Sequence, residues 1–368
     1  MNILFRTDAS TEIGTGHVMR CLTLADALAG EGASAHFLCR AHPGHLAALI
    51  ARRGHGVTLL AAAAGEGGAT DGRLAHSVWL GTSIAADLAE ALEAARGFRP
   101  DWVVVDHYAL DAEWETAMRR TGARILAIDD LADRAHDCDV LLDQNLGRSA
   151  QDYAPLVRAD AVVLAGPAYA LLRDQFAAAR ASSLLRRQDG AVRTVLVNLG
   201  GVDRDDATSA VLSALAAANG AASLRVRVVL GASALWGERV RSLAATLPFE
   251  AQVVQGIDDM AAEMAAADLA IGAAGSTSWE RCALGLPTVM LVLADNQRDI
   301  AAALDAAGCA INLGDPFAAG FPAILARTVA DLAGDADRVI AMSGRAAATV
   351  DGDGCARVVA AMTGRKGR

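Results

Sequence analysis

The chain has 368 residues, of which 53% are hydrophobic and only 4% aromatic, and its formal net charge is −10. This length predicts two domains, because a single core seldom grows beyond about 250–300 residues. The acidic balance argues against nucleic-acid binding, which depends on a basic face that neutralises many phosphates.

Targeting and redox features favour the cytosol. The first residues run directly into an apolar strand, without the basic and long apolar regions of a signal peptide. The apolar runs are shorter than the roughly 18 residues that indicate a membrane-spanning helix. The six cysteines are scattered, without C-x-x-C pairs or zinc-like spacing, which predicts free thiols. We expect a cytoplasmic protein, a monomer without integral membrane contact.

The first half of the chain alternates short β-branched or apolar segments with longer Ala/Leu-rich helical stretches. The predicted strands are 2–7, 35–39, 57–60, 102–106, 125–128, 140–142 and 161–165. The helices predicted between them include 18–31, 44–53, 84–95 and 112–121. Such alternation predicts a parallel sheet with helices on both faces. The Ala- and Gly-rich segment 61–73 is predicted to be a mobile loop.

A second series of the same kind follows the polar stretch 181–193. Its predicted strands are 194–199, 225–230, 251–255, 269–272, 288–292 and 309–313. We therefore predict an α/β protein with two doubly wound domains, residues 1–180 and 190–368, that face each other across a cleft. The ligand is expected at the carboxyl ends of the strands. The Ala-rich end is predicted to be helical, and its last helix could pack back on the first domain.

The loop DASTEIGTGH, residues 8–17, follows the first strand directly. Gly14 and Gly16 allow a tight turn and a close approach to a ligand. The loop matches neither the Walker A motif nor G-x-G-x-x-G. Instead it places His17 at the start of a helix, where the imidazolium is disfavoured and a neutral base near pH 7 is favoured. A histidine that merely caps the helix is the alternative.

Polar residues follow two further strands of the first half. Asp106 ends the apolar strand 102–106 and Tyr108 follows it, at a position where side chains of a doubly wound sheet face the ligand. Asp129 and Asp130 follow the next strand in the same way. All four are candidates for hydrogen bonds to a sugar, but for Asp129 and Asp130 we favour capping of a following helix.

The segment GAAGSTSWE, residues 272–280, lies between a predicted strand and a helix. Ser276, Thr277 and Ser278 can direct hydroxyls to a phosphate, and the carboxylate of Glu280 could bind ribose hydroxyls. A capping box formed by Thr277 and Glu280 is the alternative. Gly201 belongs to another glycine turn, expected to face the same cleft.

Two other clusters are not assigned to the site. His42 and His45 form an H-x-x-H pair without a third ligand at a recognisable spacing, so we interpret them as a solvated helix start. Asp203, Asp205 and Asp206 are interpreted as the start of a helix, where negative charge is favourable.

Taken together, these motifs resemble a known family, the hydrolases of the pseudaminic acid pathway (PseG), which act on UDP-2,4-diacetamido-2,4,6-trideoxy-β-L-altropyranose. The resemblance rests on FRTD at residues 5–8 and GTGHVMRC at residues 14–21. It continues in order through VDHY at 105–108, Asp129-Asp130, CDVLL at 138–142, YALLR at 169–173, Gly200-Gly201, the turn 276–280 and DNQ at 295–297. It covers the chain to about residue 300.

The resemblance implies a GT-B fold and a reaction that needs no metal and no cofactor. It implies that water attacks the anomeric carbon and that the bond to UDP breaks with inversion. It implies His17 as the general base, with Gly16, Asp106, Tyr108 and Asn296 at the sugar. The expected nucleotide and phosphate contacts are Gly14, Gly201, Gly275, Ser276, Thr277, Ser278 and Glu280. The chain departs from the family in a longer loop at 61–73 and in Gly275 before the hydroxyl residues.

Three alternatives remain open. A GT-B glycosyltransferase would use the same donor but would be favoured by a membrane-docking face on the first domain. The helix 18–31 shows no basic stripe of that kind. A nucleotide-sugar sensor would leave His17 idle and return its ligand unchanged. A UDP-sugar 2-epimerase would need acid and base groups around C2 of the sugar.

Overall fold

The computed structural model describes residues 1–62, 72–74, 76–217 and 223–364. Unit 1 comprises Met1–Leu171 with Asp353–Arg368, and unit 2 comprises Leu172–Gly352. These units differ from the predicted domains in residues 172–180, which belong to unit 2, and in the last helix, which belongs to unit 1. The segment 61–73, predicted to be a mobile loop, lies mostly outside the described residues.

Unit 1 is built on a seven-stranded sheet. Its strands are β1 (Asn2–Thr7), β2 (Ser34–Arg40), β3 (Gly56–Leu60), β4 (Trp102–Asp106), β5 (Arg124–Ile128), β6 (Val140–Asp143) and β7 (Val162–Ala165). All pair in parallel, in the order β3-β2-β1-β4-β5-β6-β7. Its helices are α1 (Gly16–Gly30), α2 (Ala47–Arg52), α3 (Ile84–Phe98), α4 (Ala112–Arg119), α5 (Ala150–Tyr153) and α14 (Gly354–Thr363).

Both faces of this sheet are buried. Side chains alternate along a strand, so Ile3 and Phe5 of β1 enter one apolar cluster and Leu4 enters the other. Strands buried on both faces need continuous apolar runs, which is why the β-branched valines of β4 suit a central position. Helix α14 completes the first cluster, because its Val358 packs there with Val18 of α1.

Unit 2 repeats this architecture with six strands. They are β8 (Thr194–Asn198), β9 (Arg225–Leu230), β10 (Glu250–Gln255), β11 (Leu269–Ala273), β12 (Thr288–Leu291) and β13 (Ala310–Gly314). They pair in parallel in the order β10-β9-β8-β11-β12-β13. The helices are α6 (Asp174–Arg186), α7 (Ala207–Ala216), α8 (Gly237–Ala244), α9 (Met260–Ala266), α10 (Thr277–Ala283), α11 (Arg298–Ala306), α12 (Phe321–Ala333) and α13 (Ala336–Thr349).

The predicted α/β class is confirmed. All thirteen predicted strands are present, and no strand end differs from its prediction by more than one residue. Asp203, Asp205 and Asp206 lie before the start of α7, as predicted. Asp203 accepts from the N–H groups of Ala207 and Thr208, and Asp206 accepts from that of Ser209.

Each sheet contains one point at which the strand order reverses. In unit 1 it lies between β1 and β4, and in unit 2 between β8 and β11. Doubly wound sheets bind ligands outside the carboxyl ends of the strands at this point. Most of the residues predicted for the functional site follow one of these four strands.

Candidate active site

The turn before α1 is held by its own backbone. The Ser10 hydroxyl accepts from the N–H groups of Glu12 and Ile13 at 3.1 and 2.9 Å. The N–H of Gly14 donates to the Ser10 carbonyl at 2.9 Å, and the φ angle of Gly14 is +81°. The amide of Gly14 is therefore engaged within the turn, and the assignment of Gly14 to the phosphate site stays a prediction. The function of Gly14 in the structure is to allow a left-handed backbone.

His17 lies in the first turn of α1, beside the end of β4. Its Nδ1 is 2.6 Å from Oδ1 of Asp106, and the histidine is only 8% exposed. Burial alone would raise the pKa of Asp106, but Arg20 and His17 hold that pKa well below its usual range. Asp106 is therefore a carboxylate and can only accept, so the ring hydrogen of neutral His17 lies on Nδ1.

The other ring nitrogen of His17 is the chemically important one. No residue in the described part of the chain donates to or accepts from Nε2. With the hydrogen on Nδ1, Nε2 carries a lone pair that can take a proton from water. The pair thus has the geometry of a base held in one tautomer by a carboxylate.

Arg20 stands one turn further along α1 and grips the same carboxylate. Its Nε lies 2.7 Å from Oδ2 of Asp106 and its Nη2 lies 2.7 Å from Oδ1. Its Nη1 reaches Asp130, with 3.0 Å to Oδ1. One guanidinium therefore bridges Asp106 at the end of β4 and Asp130 in the loop after β5.

These contacts correct two predictions from the sequence. Asp106 was expected to contact the sugar, but it is 0% exposed and both of its oxygens are bound by His17 and Arg20. Its position is behind His17. Asp129 and Asp130 were expected to cap a helix, but no helix lies between β5 and β6. Instead Asp129 accepts from two backbone N–H groups of the loop, and Asp130 holds side chains of the site.

Aromatic rings line the side of His17. The ring of Tyr108 meets the imidazole edge-on at a centroid distance of 4.7 Å, and Trp79 lies at 6.4 Å. His76 packs against Trp79 at 4.3 Å. The Tyr108 hydroxyl donates to Oδ2 of Asp130 at 2.7 Å. Aromatic side chains therefore form part of the surroundings of His17.

Unit 2 carries the turn predicted to bind phosphate. Ser276 and Thr277 are half-buried, whereas Ser278 is 1% exposed. The Ser278 hydroxyl accepts from Nη2 of Arg281 at 3.0 Å, which corrects its assignment as a phosphate contact. The capping box is absent, since neither Ser276 nor Thr277 caps α10 with its side chain. Ser276 and Thr277 remain the candidates for hydroxyl donors.

Glu280 and Asn296 have different surroundings within unit 2. Burial raises the pKa of Glu280, although the nearby Arg173 and Arg281 lower it. Its Oε1 lies 3.5 Å from Nη2 of Arg173. Asn296 is exposed on the 3₁₀ helix Asp295–Gln297.

The structure brings the predicted residues into two groups. Unit 1 gathers Gly16, His17, Asp106 and Tyr108 at the end of β1 and β4. Unit 2 carries Gly201 after β8 and residues 275–280 after β11, together with Asn296. Gly201 is half-buried, and its backbone lies so close to Gly231 that a Cβ added at Gly231 would collide with it.

Sequence reasoning missed three side chains of the unit 1 site. Arg20 lies three residues after His17, a spacing that puts both on one helix face, and this signal was available. His76 and Trp79 lie far from the motif in sequence and approach it only through the fold. Among the described residues, no group of three or more His, Cys, Asp or Glu side chains could hold a metal ion.

Comparison with known proteins adds similarity of both sequence and fold. Residues 194–354 match the family model of the glycosyltransferase family 28 C-terminal domain. Over 177 residues the chain is 29% identical to the UDP-2,4-diacetamido-2,4,6-trideoxy-β-L-altropyranose hydrolase of Campylobacter jejuni. This alignment covers 48% of the chain and 53% of the relative, so the chain spans about half the length of that relative. The predicted similarity to this family is confirmed.

Solved structures match over nearly the whole chain. MurG of Acinetobacter baumannii is 18% identical with a TM-score of 0.68, covering 99% of both chains. A putative UDP-N-acetylglucosamine 2-epimerase from Listeria monocytogenes is 12% identical with a TM-score of 0.61, covering 98% of this chain and 95% of that one. The chain has a GT-B-like fold. In this GT-B-like protein, no helix in the described ranges is long and apolar enough to cross a membrane.

Proposed function

We propose that the protein hydrolyses a UDP-linked amino sugar, with His17 as the base that activates water. The observation that carries this proposal is the pair of His17 and Asp106, whose 2.6 Å contact fixes the hydrogen on Nδ1. The proposed substrate is UDP-2,4-diacetamido-2,4,6-trideoxy-β-L-altropyranose, since the hydrolase of that name is 29% identical over 48% of this chain.

The reaction needs one proton transfer and one bond exchange. The oxygen of water forms a bond to the anomeric carbon, while the carbon–oxygen bond to UDP breaks and its electron pair leaves on the phosphate. Nε2 of His17 takes the proton from water, and Asp106 stabilises the imidazolium that results. Attack opposite to the leaving group inverts the anomeric configuration.

UDP is a good leaving group, so charge stabilisation can replace an acid. We assign this stabilisation to the hydroxyls of Ser276 and Thr277 in unit 2, which are half-buried. Glu280, held beside Arg173, is assigned to the ribose hydroxyls, which donate to a carboxylate.

A glycosyltransferase is the second candidate. The match of residues 194–354 to the glycosyltransferase family 28 C-terminal domain favours it. A transferase would bind the same donor but pass the sugar to an acceptor hydroxyl in place of water. The two candidates therefore differ in what happens to the donor when no acceptor is present.

Proton NMR of the purified protein with this UDP sugar and EDTA separates the candidates. We expect release of UDP and free sugar. The free sugar that appears first should have the anomeric configuration opposite to that of the substrate. Intact substrate here and with the gluco- and galacto-configured UDP sugars would contradict hydrolysis and favour transfer.

A matched pair of histidine variants tests the base. His17→Asn should bind UDP like the wild type but lose most of kcat, whereas His45→Asn should keep wild-type kcat. His45 is half-buried in a loop, and within the described ranges its side chain accepts from the N–H of Ala47 alone. Wild-type kcat in His17→Asn would contradict the assignment.

A further inference from the structure

Arg20 has no role in the proposed reaction as described, although it contacts two carboxylates beside His17. Its guanidinium lies between the carboxylates of Asp106 and Asp130, and Asp106 is the carboxylate that orients His17. We propose that Arg20 is a positioning residue of the reaction, which offsets the charge of Asp106 and so keeps the His17 imidazole neutral and aligned. This inference rests on the proposed function, because it concerns the base of that reaction.

The fork of Arg20 fixes the plane of the carboxylate. Nε and Nη2 bind the two oxygens of Asp106 at 2.7 Å each, the bidentate arrangement that holds a carboxylate most rigidly. Oδ1 is shared, because His17 Nδ1 approaches the same oxygen at 2.6 Å. The direction in which Asp106 accepts from His17 is thus set by Arg20.

A second contact has an electrostatic consequence. Nη2 of Arg20 lies 3.3 Å from Nδ1 of His17. Both nitrogens carry hydrogens and neither can accept, so this contact is not a hydrogen bond. A positive charge at this distance disfavours a positive imidazolium. Arg20 therefore opposes, directly and through Asp106, the tendency of the Asp106 carboxylate to draw a proton onto His17.

Among the charged groups around His17, Arg20 is the one that offsets the negative charge of Asp106. Asp106 contacts His17 from the end of β4, and Asp130, in the loop after β5, contacts Arg20. Arg134 is committed to Asp129 at 2.6 Å and to Asp133 at 3.1 Å. The other titratable groups nearby are Tyr108, His76 and Cys21. Burial raises the pKa values of Tyr108 and Cys21 well above the usual range, and burial lowers the pKa of His76.

Arg20 also connects the base to the aromatic side of the site. Its Nη1 and the Tyr108 hydroxyl bind the same carboxylate, Asp130, at 2.8 and 2.7 Å from Oδ2. The ring of Tyr108 packs edge-on against His17 at 4.7 Å. Loss of Arg20 would therefore loosen two neighbours of the imidazole at once.

NMR titration of the imidazole CH resonances tests the inference without any substrate. His17→Asn identifies the His17 signal among those of the eight histidines. In Arg20→Gln the pH at which His17 is half protonated should rise by about one unit or more, because two carboxylates lose their cation. Arg20→Lys keeps the charge, so its midpoint should move by less than about half a unit.

Measurements of kcat separate the effect of the charge of Arg20 from the effect of its hydrogen-bond geometry. The acid limb of the kcat profile of Arg20→Gln should move upward in pH together with the titration. Arg20→Lys should lose roughly 10- to 100-fold in kcat without such a shift, because an ammonium cannot bind bidentately. A lowered kcat in Arg20→Gln with an unmoved His17 midpoint would overturn the inference, since a merely structural arginine predicts that result.

Asp130→Asn covers the case in which Arg20→Gln does not fold. It removes one carboxylate charge but retains one amide oxygen that can accept from Arg20 and Tyr108, so the His17 midpoint should move downward. An unchanged or raised midpoint would overturn the inference. If the wild type hydrolyses no UDP sugar, the proposed function fails, whereas these titrations still decide what Arg20 does to His17.

Discussion

Gly272 of β11 lies directly against the guanidinium of Arg281 from helix α10, so that no side chain fits between them. Arg281 is 2% exposed and forms no ion pair with any described carboxylate. Its Nη2 donates to the Ala273 carbonyl at 2.7 Å and its Nη1 donates to the Thr277 hydroxyl at 3.0 Å. Burial lowers the pKa of Arg281 to about 10. The buried guanidinium of Arg281 thus stabilises the turn that is proposed to bind phosphate.

Gly272→Ala should destabilise unit 2. The added Cβ would collide with Arg281 and with nearby backbone, and overpacking of this kind costs about 1–3 kcal/mol. Gly275→Ala is the matched control, because its Cβ would meet only Gln297 at 3.9 Å. Urea unfolding of both variants measures the effect. Equal stability of the two would show that Arg281 moves aside at no cost.

The fold was predictable because it depends on patterns that are local in the chain. The β-branched run of β4 and the Ala/Leu-rich helices carry their periodicity in the sequence itself. The position of His17 at the start of α1 was also predictable, since a glycine-containing loop leads from β1 to this helix. Both features follow from neighbours a few residues away.

The roles of Asp106 and Ser278 were not predictable in the same way. Each stands where a ligand contact was expected, but Asp106 is buried against Arg20 of α1, and Ser278 is buried against Arg281, which lies three residues further along α10. Polar residues at strand ends bind either ligand or protein, and only tertiary packing decides between them. His76 and Trp79 reach His17 through long-range contacts that leave no local pattern.

Asp87 should be essential for the stability of unit 1. Its carboxylate is buried between Arg6 and Arg40, each with an Nη2 at 2.7 Å, and accepts from Trp114 at 3.2 Å. Asp87→Asn leaves two buried guanidinium groups without their shared charge, and breaking such a pair costs about 3–5 kcal/mol. Urea unfolding followed by tryptophan fluorescence measures the loss.

Glu90→Gln is the control for that cluster. Glu90 binds the same Nη2 of Arg40 at 2.7 Å, but its side chain is 37% exposed. Water replaces an exposed partner, so the cost should be below about 1 kcal/mol. Similar losses in both variants would mean that burial does not govern this network.

Asp106→Asn should impair the proposed hydrolysis while leaving UDP binding intact. An amide can donate to Nδ1 of His17, which moves the ring hydrogen to Nε2 and removes the lone pair needed for water. The expected loss in kcat is at least about 100-fold, measured by UDP release. Asp133→Asn, whose side chain is 43% exposed, should retain wild-type kcat. A kcat within a few-fold of wild type in Asp106→Asn would show that the base is not held by this carboxylate.

Asp143 makes the stability of unit 1 depend on pH. The Tyr153 hydroxyl lies 2.8 Å from Oδ2 of Asp143 and 3.0 Å from Oδ2 of Asp129, yet it has one hydrogen to donate. Arg134 and His136 offset the burial of Asp129 and hold its pKa low, so Asp129 accepts this hydrogen. Burial and the charge of Asp130 raise the pKa of Asp143 to about 7. Below that pH Asp143 is protonated, and its carboxyl group can donate to the Tyr153 hydroxyl oxygen.

The direction of the pH effect follows from proton binding. The folded chain keeps the Asp143 proton up to pH about 7, whereas the unfolded chain releases it near the ordinary value of 3.8. Between these values the folded state binds more protons, so the free energy of unfolding falls as the pH rises, at about 1.4 kcal/mol per unit. Asp143→Asn cannot titrate and should lose this slope, which urea unfolding at pH 5, 6.5 and 8 measures. The exposed variant Asp160→Asn should keep it, and parallel slopes for Asp143→Asn and the wild type would place the proton elsewhere.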